Sequence, residues 1–124
     1  MPELHATLRE ALQVDGAIAV GVVDYLSGAT LGVAVNGTSF DPVKAAAVSA
    51  EILLARWQHM ERVGISGLIE DVVATVEARC HLIRPLDAGP GKHMLAYIVM
   101  QLPAPDDLED ARGQLRRIER SIER

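Results

Sequence analysis

One cysteine, Cys80, stands in the 124-residue chain, which excludes an internal disulfide framework and is consistent with a reducing compartment. Long apolar runs are also missing. Although 49% of the residues are hydrophobic, no stretch reaches the roughly 18 apolar residues of a membrane-spanning helix. Met1–Arg9 contains Pro2, Glu3 and His5 where a secretory signal would carry a basic start and an apolar run. The expected location is the cytoplasm, with no membrane association. An excess of positive charge is lacking as well: 17 acidic residues outweigh 12 basic ones, for a net charge of −5. That argues against nucleic acid as a partner, because phosphate binding depends on clustered Lys and Arg. Only Arg116, Arg117, Arg120 and Arg124 cluster, at the end of an expected helix, where they read as a solvated face.

Signatures of catalysis are absent too. In "AGPGKH" (88–93) a phosphate-binding loop would need a glycine at the place of Leu86 and a Ser or Thr at that of His93. Gly16, Gly21, Gly28, Gly32 and Gly37 do not have the dinucleotide-binding spacing. Ser27 lacks the G-x-S-x-G context of a nucleophile elbow. Cys80 and His81 are neighbours on an expected strand and so point to opposite faces; the same divergence makes Glu70 and Asp71 a poor acid–base pair. His5, His59, His81 and His93 fall on different expected elements, without metal-ligand spacing. The expectation is a protein that is not an enzyme and has no catalytic residues, no cofactor and no metal.

What is present is a regular alternation of elements. At this length one domain, 1–124, buries about two thirds of the surface its unfolded form exposes. Leu4, Leu8, Ala11 and Leu12 lie on one stripe and predict a short amphipathic helix over 3–13, ended near Asp15–Gly16. The Val- and Ile-rich runs 17–25 and 30–35, separated by 26–29 with Gly28 inside, predict a hairpin. Asp41 before Pro42 is a good N-cap followed by a proline at the first helical position. It starts a long helix to Val63, with Gly64 beyond its end.

The apolar residues of that helix form two stripes. The larger holds Val43, Ala46, Ala47, Ala50, Leu53, Leu54, Trp57 and Met60. The smaller holds Ala45, Val48, Ile52, Ala55 and Val63, with His59 among them, and Ser49 and Arg56 fall between the two. Two stripes predict burial on two sides, the second against another copy of the chain. Strands are expected at 68–76, 79–86 and 93–101, joined as an antiparallel meander through 77–78 and 87–92, with Pro85 near a strand end. The last helix carries acids at its start (Asp106, Asp107, Glu109, Asp110) and arginines at its end, matching the macrodipole. Leu108, Ala111, Leu115, Ile118 and Ile122 are its inward stripe. Five antiparallel strands with helices on both faces make an α/β sandwich.

With these elements placed, the sequence resembles the Roadblock (dynein light chain-like) family, in particular its bacterial members. The resemblance runs through "LREAL" (8–12), "VDGAIAVGVVDYLSGATLGVAV" (14–35), "KAAAVSAEILLARW" (44–57) and "VATVEARCHLIRPL" (73–86). Its most specific part is this element order together with "HLIRPL" before a turn. Trp57, His59, Arg56 and Arg62, late in the long helix, depart from the simplest family pattern.

The resemblance implies an α/β (α+β) profilin/Roadblock-like sandwich, with the long helix on one face of a five-stranded antiparallel sheet and the two terminal helices on the other. It implies a homodimer through the long helix and an edge strand, here with Ala45, Val48, Ile52, Ala55, His59 and Val72 at the interface. The implied activity is regulation or scaffolding of a small Ras-like GTPase in bacterial signalling, with a histidine kinase-like protein as a further partner. The alternative is a small-molecule sensor domain of similar sandwich shape.

Overall fold

The computed structural model describes residues 2–37, 40–65, 69–76, 78–86, 93–101 and 105–123. In chain order the elements are α1 (Pro2–Ala11), β1 (Ala17–Asp24), β2 (Thr30–Val35), α2 (Pro42–Arg62), β3 (Val72–Val76), β4 (Arg79–Leu86), β5 (Met94–Gln101) and α3 (Pro105–Glu123). The strands form one antiparallel sheet in the order β2-β1-β5-β4-β3. The expected hairpin β1–β2 and meander β3–β4–β5 are both present, joined where β5 pairs with β1.

Alternation along the strands sorts the core into two halves. On one face, Leu4, Leu8 and Ala11 of α1 and Ala111, Leu115, Ile118 and Ile122 of α3 pack on Val20, Val22, Leu82, Leu86 and Ile98. On the other, α2 covers Ala19, Val23, Ile83, Leu95, Tyr97 and Val99. The long helix therefore lies on one face and both terminal helices on the other, as the sandwich requires.

Local chemistry explains the element ends. The Asp41 carboxylate accepts from the Val43 and Lys44 backbone N–H groups at 3.0 and 3.4 Å, and Pro42 opens α2; such a cap is worth about 1 kcal/mol. Between β1 and β2, Asp24 accepts from the N–H of Leu26 at 2.9 Å and of Ser27 at 3.1 Å. These bonds favour the charged carboxylate and lower its pKa. Gly28, at φ +81°, takes the left-handed conformation this turn needs. The Gly28-bearing segment is thus a hairpin turn. At Gly21 the reason for glycine is different: an added Cβ would lie 2.6 Å from the Tyr97 ring, which crosses β1 at that point.

β3 starts later than expected, at Val72 instead of residue 68. The Tyr25 N–H donates to the His93 carbonyl (2.9 Å), so odd-numbered residues of β5 turn their backbone groups to β1 and even-numbered ones to β4. Carried through the register, odd-numbered residues of β4 face β3. Pro85 is one of them and has no N–H to give, so the ladder cannot extend to Glu70 opposite it. The Glu70 carbonyl is met by Arg84 Nη1 at 3.3 Å instead. Leu68 and the turn expected over 87–92, with Gly89, Pro90, Gly91 and Lys92, lie outside the described residues, as does Arg124.

Candidate functional site

The residues singled out for chemistry do not come together. Cys80 is buried with the α1/α3 half of the core, where loss of hydration pushes its thiol pKa up. His81, its neighbour in β4, points to the opposite face, beneath α2. Burial first, then the Arg79 charge, lowers the His81 pKa, so its ring is neutral at pH 7. Among the described residues its Nδ1 has no hydrogen-bond partner. His5 is on α1, His59 on α2 and His93 just before β5. Among the described residues no three His, Cys, Asp or Glu side chains converge on a common point, and no helix is long and apolar enough to cross a membrane.

Glu70 and Asp71 act as anchors. Arg112 Nε of α3 reaches Asp71 Oδ2 at 3.1 Å and its Nη1 reaches Glu109 Oε1 at 2.6 Å. Arg84 gives both Nε and Nη2 to Glu119 Oε1 of α3, at 3.1 and 2.9 Å. Two half-buried arginines thereby tie the segment before β3 to α3. Sequence reading missed these links, since partners 35 and 41 residues apart have no local signature.

The surface that remains is formed by the outer flank of α2 and the edge of β3. The sheet-facing side of α2 coincides with the larger stripe only in part: Ala46, Ala50, Leu53 and Trp57 pack there. Its buried residues are Ala45, Ala46, Ser49 and Leu53, drawn from both stripes and from the polar gap between them, while Val43 of the larger stripe is 74% exposed. The small side chains of Ala45, Ala46 and Ser49 line the buried side, and close approach to the sheet needs residues of that size. One expectation is corrected as a result: Ala45 is only 3% exposed and belongs to the core of its own chain, so it is not a surface residue.

The others of the smaller stripe stay accessible. Val48 and Ile52 are half-buried, and Ala55 and His59 are exposed. Ile52, Arg56 and Met60 line a groove against Ile69, Val72 and Ala74, which sets this flank of α2 beside β3. Val72 is half-buried and packs towards the α2 face. β3 has a neighbour on one side only, so Val73 and Thr75 turn their backbone groups outward. Among the described residues the arrangement offers a strand edge without a pairing partner and an adjoining helix flank that mixes Ile52 and Met60 with Arg56. It contains no nucleophile–base or acid–base pair among the described residues.

No protein-family model matches the chain, and no curated protein matches its sequence. Solved structures do match its shape. A structure of MglB with tetrameric arrangement superposes with a TM-score of 0.77 at 18% identity, over 98% of this chain and 86% of that one. Myxococcus xanthus MglB gives 0.75 at 12% identity, over 98% and 92%. The Roadblock/LC7 domain from Streptomyces avermitilis gives 0.71 at 14% identity, over 98% and 93%. The five-stranded sheet, its order and the placement of its three helices are thus the fold of MglB and of the Roadblock/LC7 domain.

Proposed function

We propose that this chain is a non-enzymatic regulatory or scaffold protein that works as a cytoplasmic homodimer and binds a small Ras-like GTPase in a bacterial signalling system. The observation that carries the reading is the match of fold to MglB and Roadblock/LC7 structures over 98% of the chain, which agrees with the resemblance in sequence. The open β3 edge beside Ile52, on a helix flank that also leaves Val48, Ala55 and His59 accessible, supports the dimer, because an unguarded edge and an apolar helix flank are surfaces that a second copy covers at once. A regulator of this kind needs no catalytic group. Holding a GTPase switch segment in one conformation is enough, provided it binds one nucleotide state better than the other. A histidine kinase-like protein is a further partner in this reading.

The test is affinity capture from native lysate with GDP or a non-hydrolysable GTP analogue, read by mass spectrometry. Enrichment of one small GTPase, stronger in one nucleotide state, is the expected result. A small molecule retained in native mass spectrometry, with no GTPase enriched in either state, would replace this reading with that of a sensor domain.

The dimer has its own test in sedimentation. Ile52→Asp, and Ala55→Glu at a site exposed in the single chain, each place a charge in the interface and should weaken self-association by about two orders of magnitude, about 3 kcal/mol. An unchanged dimer mass in folded Ala55→Glu would refute this interface.

A further inference from the structure

The sheet has a second open edge. β2 pairs with β1 alone. The Asn36 N–H donates to the Ile18 carbonyl at 2.8 Å, so by antiparallel alternation Gly32 and Ala34 face β1 while Val33 and Val35 turn N–H and C=O outward. A bulge leaves Leu31 out of the pairing and confines the free edge to the stretch after it. Thr30–Val35 carries neither charge nor proline, two of the devices that proteins use to block such an edge.

α1 runs beside this edge. Its Leu4 and Leu8 lie over Gly32, which brings the next flank of the helix, His5, Arg9 and Leu12, into one groove with Val33, Val35 and Asn36. Among the described residues no carboxylate lines that groove, in a chain whose net charge is −5. Among the described residues neither His5 nor Arg9 has an ion-pair partner. Of the two α1 acids, Glu10 is turned away, to Arg117 of α3 at 2.7 Å, and the side chain of Glu3 lies outside the described residues. Backbone groups free to pair, apolar side chains and, among the described residues, His5 and Arg9 without an ion-pair partner therefore occur together.

The geometry points to the β2 edge as a strand-addition site for an extended segment of another protein, one that alternates acidic and apolar residues. The backbone of the segment pairs with Val33 and Val35 as a sixth strand. Because side chains alternate across a strand, its acids all fall on the α1 side, against Arg9 and His5, and its apolar residues fall beside Leu31, Val33 and Val35. A second copy of this chain fits less well, since it brings an uncharged strand bordered by its own Arg9 and His5. The site lies on the opposite edge of the sheet from β3 and does not depend on the GTPase reading.

Selection of the full chain against a random peptide library should enrich sequences alternating acidic and β-branched residues. Three controls use the tightest of them. Backbone N-methylation of the peptide at alternate residues should abolish binding. Val33→Pro removes an N–H that β1 does not use and should weaken binding about tenfold or more. Arg9→Glu, on the exposed side of α1, should weaken it several-fold and shift the selected sequences from acidic to basic. Absence of acidic alternating sequences, or equal binding of the N-methylated peptide or of folded Val33→Pro, would overturn the proposal. So would a drop in sedimenting mass on Val33→Pro, which would assign the edge to a second copy.

Discussion

On one face of the sheet α1 and α3 lay Leu4, Leu8, Leu115, Ile118 and Ile122 over Leu82, Leu86 and Ile98; on the other, α2 sets down Ala45, Ala46, Ser49 and Leu53. The first half interlocks large apolar groups from two helices that also contact each other. The second seats one helix on small residues; among the described residues it buries Ser49 Oγ, His81 Nδ1 and the Tyr97 hydroxyl without hydrogen-bond partners, as the first does Gln114 Oε1 and Ser121 Oγ of α3. Unpaired buried polar groups cost free energy on both faces, so the halves differ in the size of the apolar side chains that their helices set against the sheet. The difference teaches where the fold is anchored: large side chains of α1 and α3 hold one face of the sheet, while α2 leaves apolar residues such as Val43 and Ala55 exposed on its outer side.

The contrast can be broken most directly by truncating one large residue on each side. Leu115→Ala should cost about 4 kcal/mol, within the usual range for a fully enclosed leucine. Leu53→Ala should cost about 1 kcal/mol less, because its half-buried neighbours Ala50, Ile52 and Trp57 have room to close on the hole. Denaturant unfolding measures both; equal losses would mean that the two halves are packed alike.

A smaller effect of opposite sign sharpens the same contrast. Ser49→Ala and Tyr97→Phe each delete a buried oxygen that has no partner among the described residues and should raise stability by about 1 kcal/mol or leave it unchanged. Burial holds the Tyr97 pKa at about 12, so its ionisation plays no part at neutral pH. A loss above about 1 kcal/mol in either variant would show that the oxygen is hydrogen-bonded in solution.

The mildest probe is pH. Folding lowers the His81 pKa below its ordinary 6.5, so the unfolded chain takes up a proton before the folded one does. The stabilisation is complete above pH 6.5 and is lost as pH falls through that value towards the folded-state pKa. Thermal unfolding of the wild type should weaken on mild acidification, and His81→Leu should flatten that dependence. A parallel decline in both proteins would assign the acid sensitivity to other groups.

Much of this architecture was legible because local rules act within a few residues. Asp41–Pro42 marked the start of α2, Gly28 marked the hairpin turn, and the 3.6-residue stripe of α3 marked its inward side, since caps, turns and periodicity depend only on near neighbours. The helix α2 was harder to read. An Ala-rich helix looks apolar at many angles, so its stripes could not reveal that Ser49 faces the sheet and Val43 faces out. Ala45 was misplaced for the same reason. The anchoring arginines Arg84 and Arg112 were invisible, because their partners come together only when α3 docks.

The sequence by itself determined which segments are helices and strands, that hairpin and meander share an antiparallel sheet, and that no assembled catalytic or metal-binding motif is written along the chain. These properties follow from spacing, capping and composition, which act over a turn or a strand. Only the tertiary structure decided which side of α2 is buried, that Pro85 cuts β3 short, and that the β3 and β2 edges stay open beside different helix flanks. Those outcomes depend on which distant residues pack together and on where strand pairing runs out of donors, and neither is encoded in a local pattern.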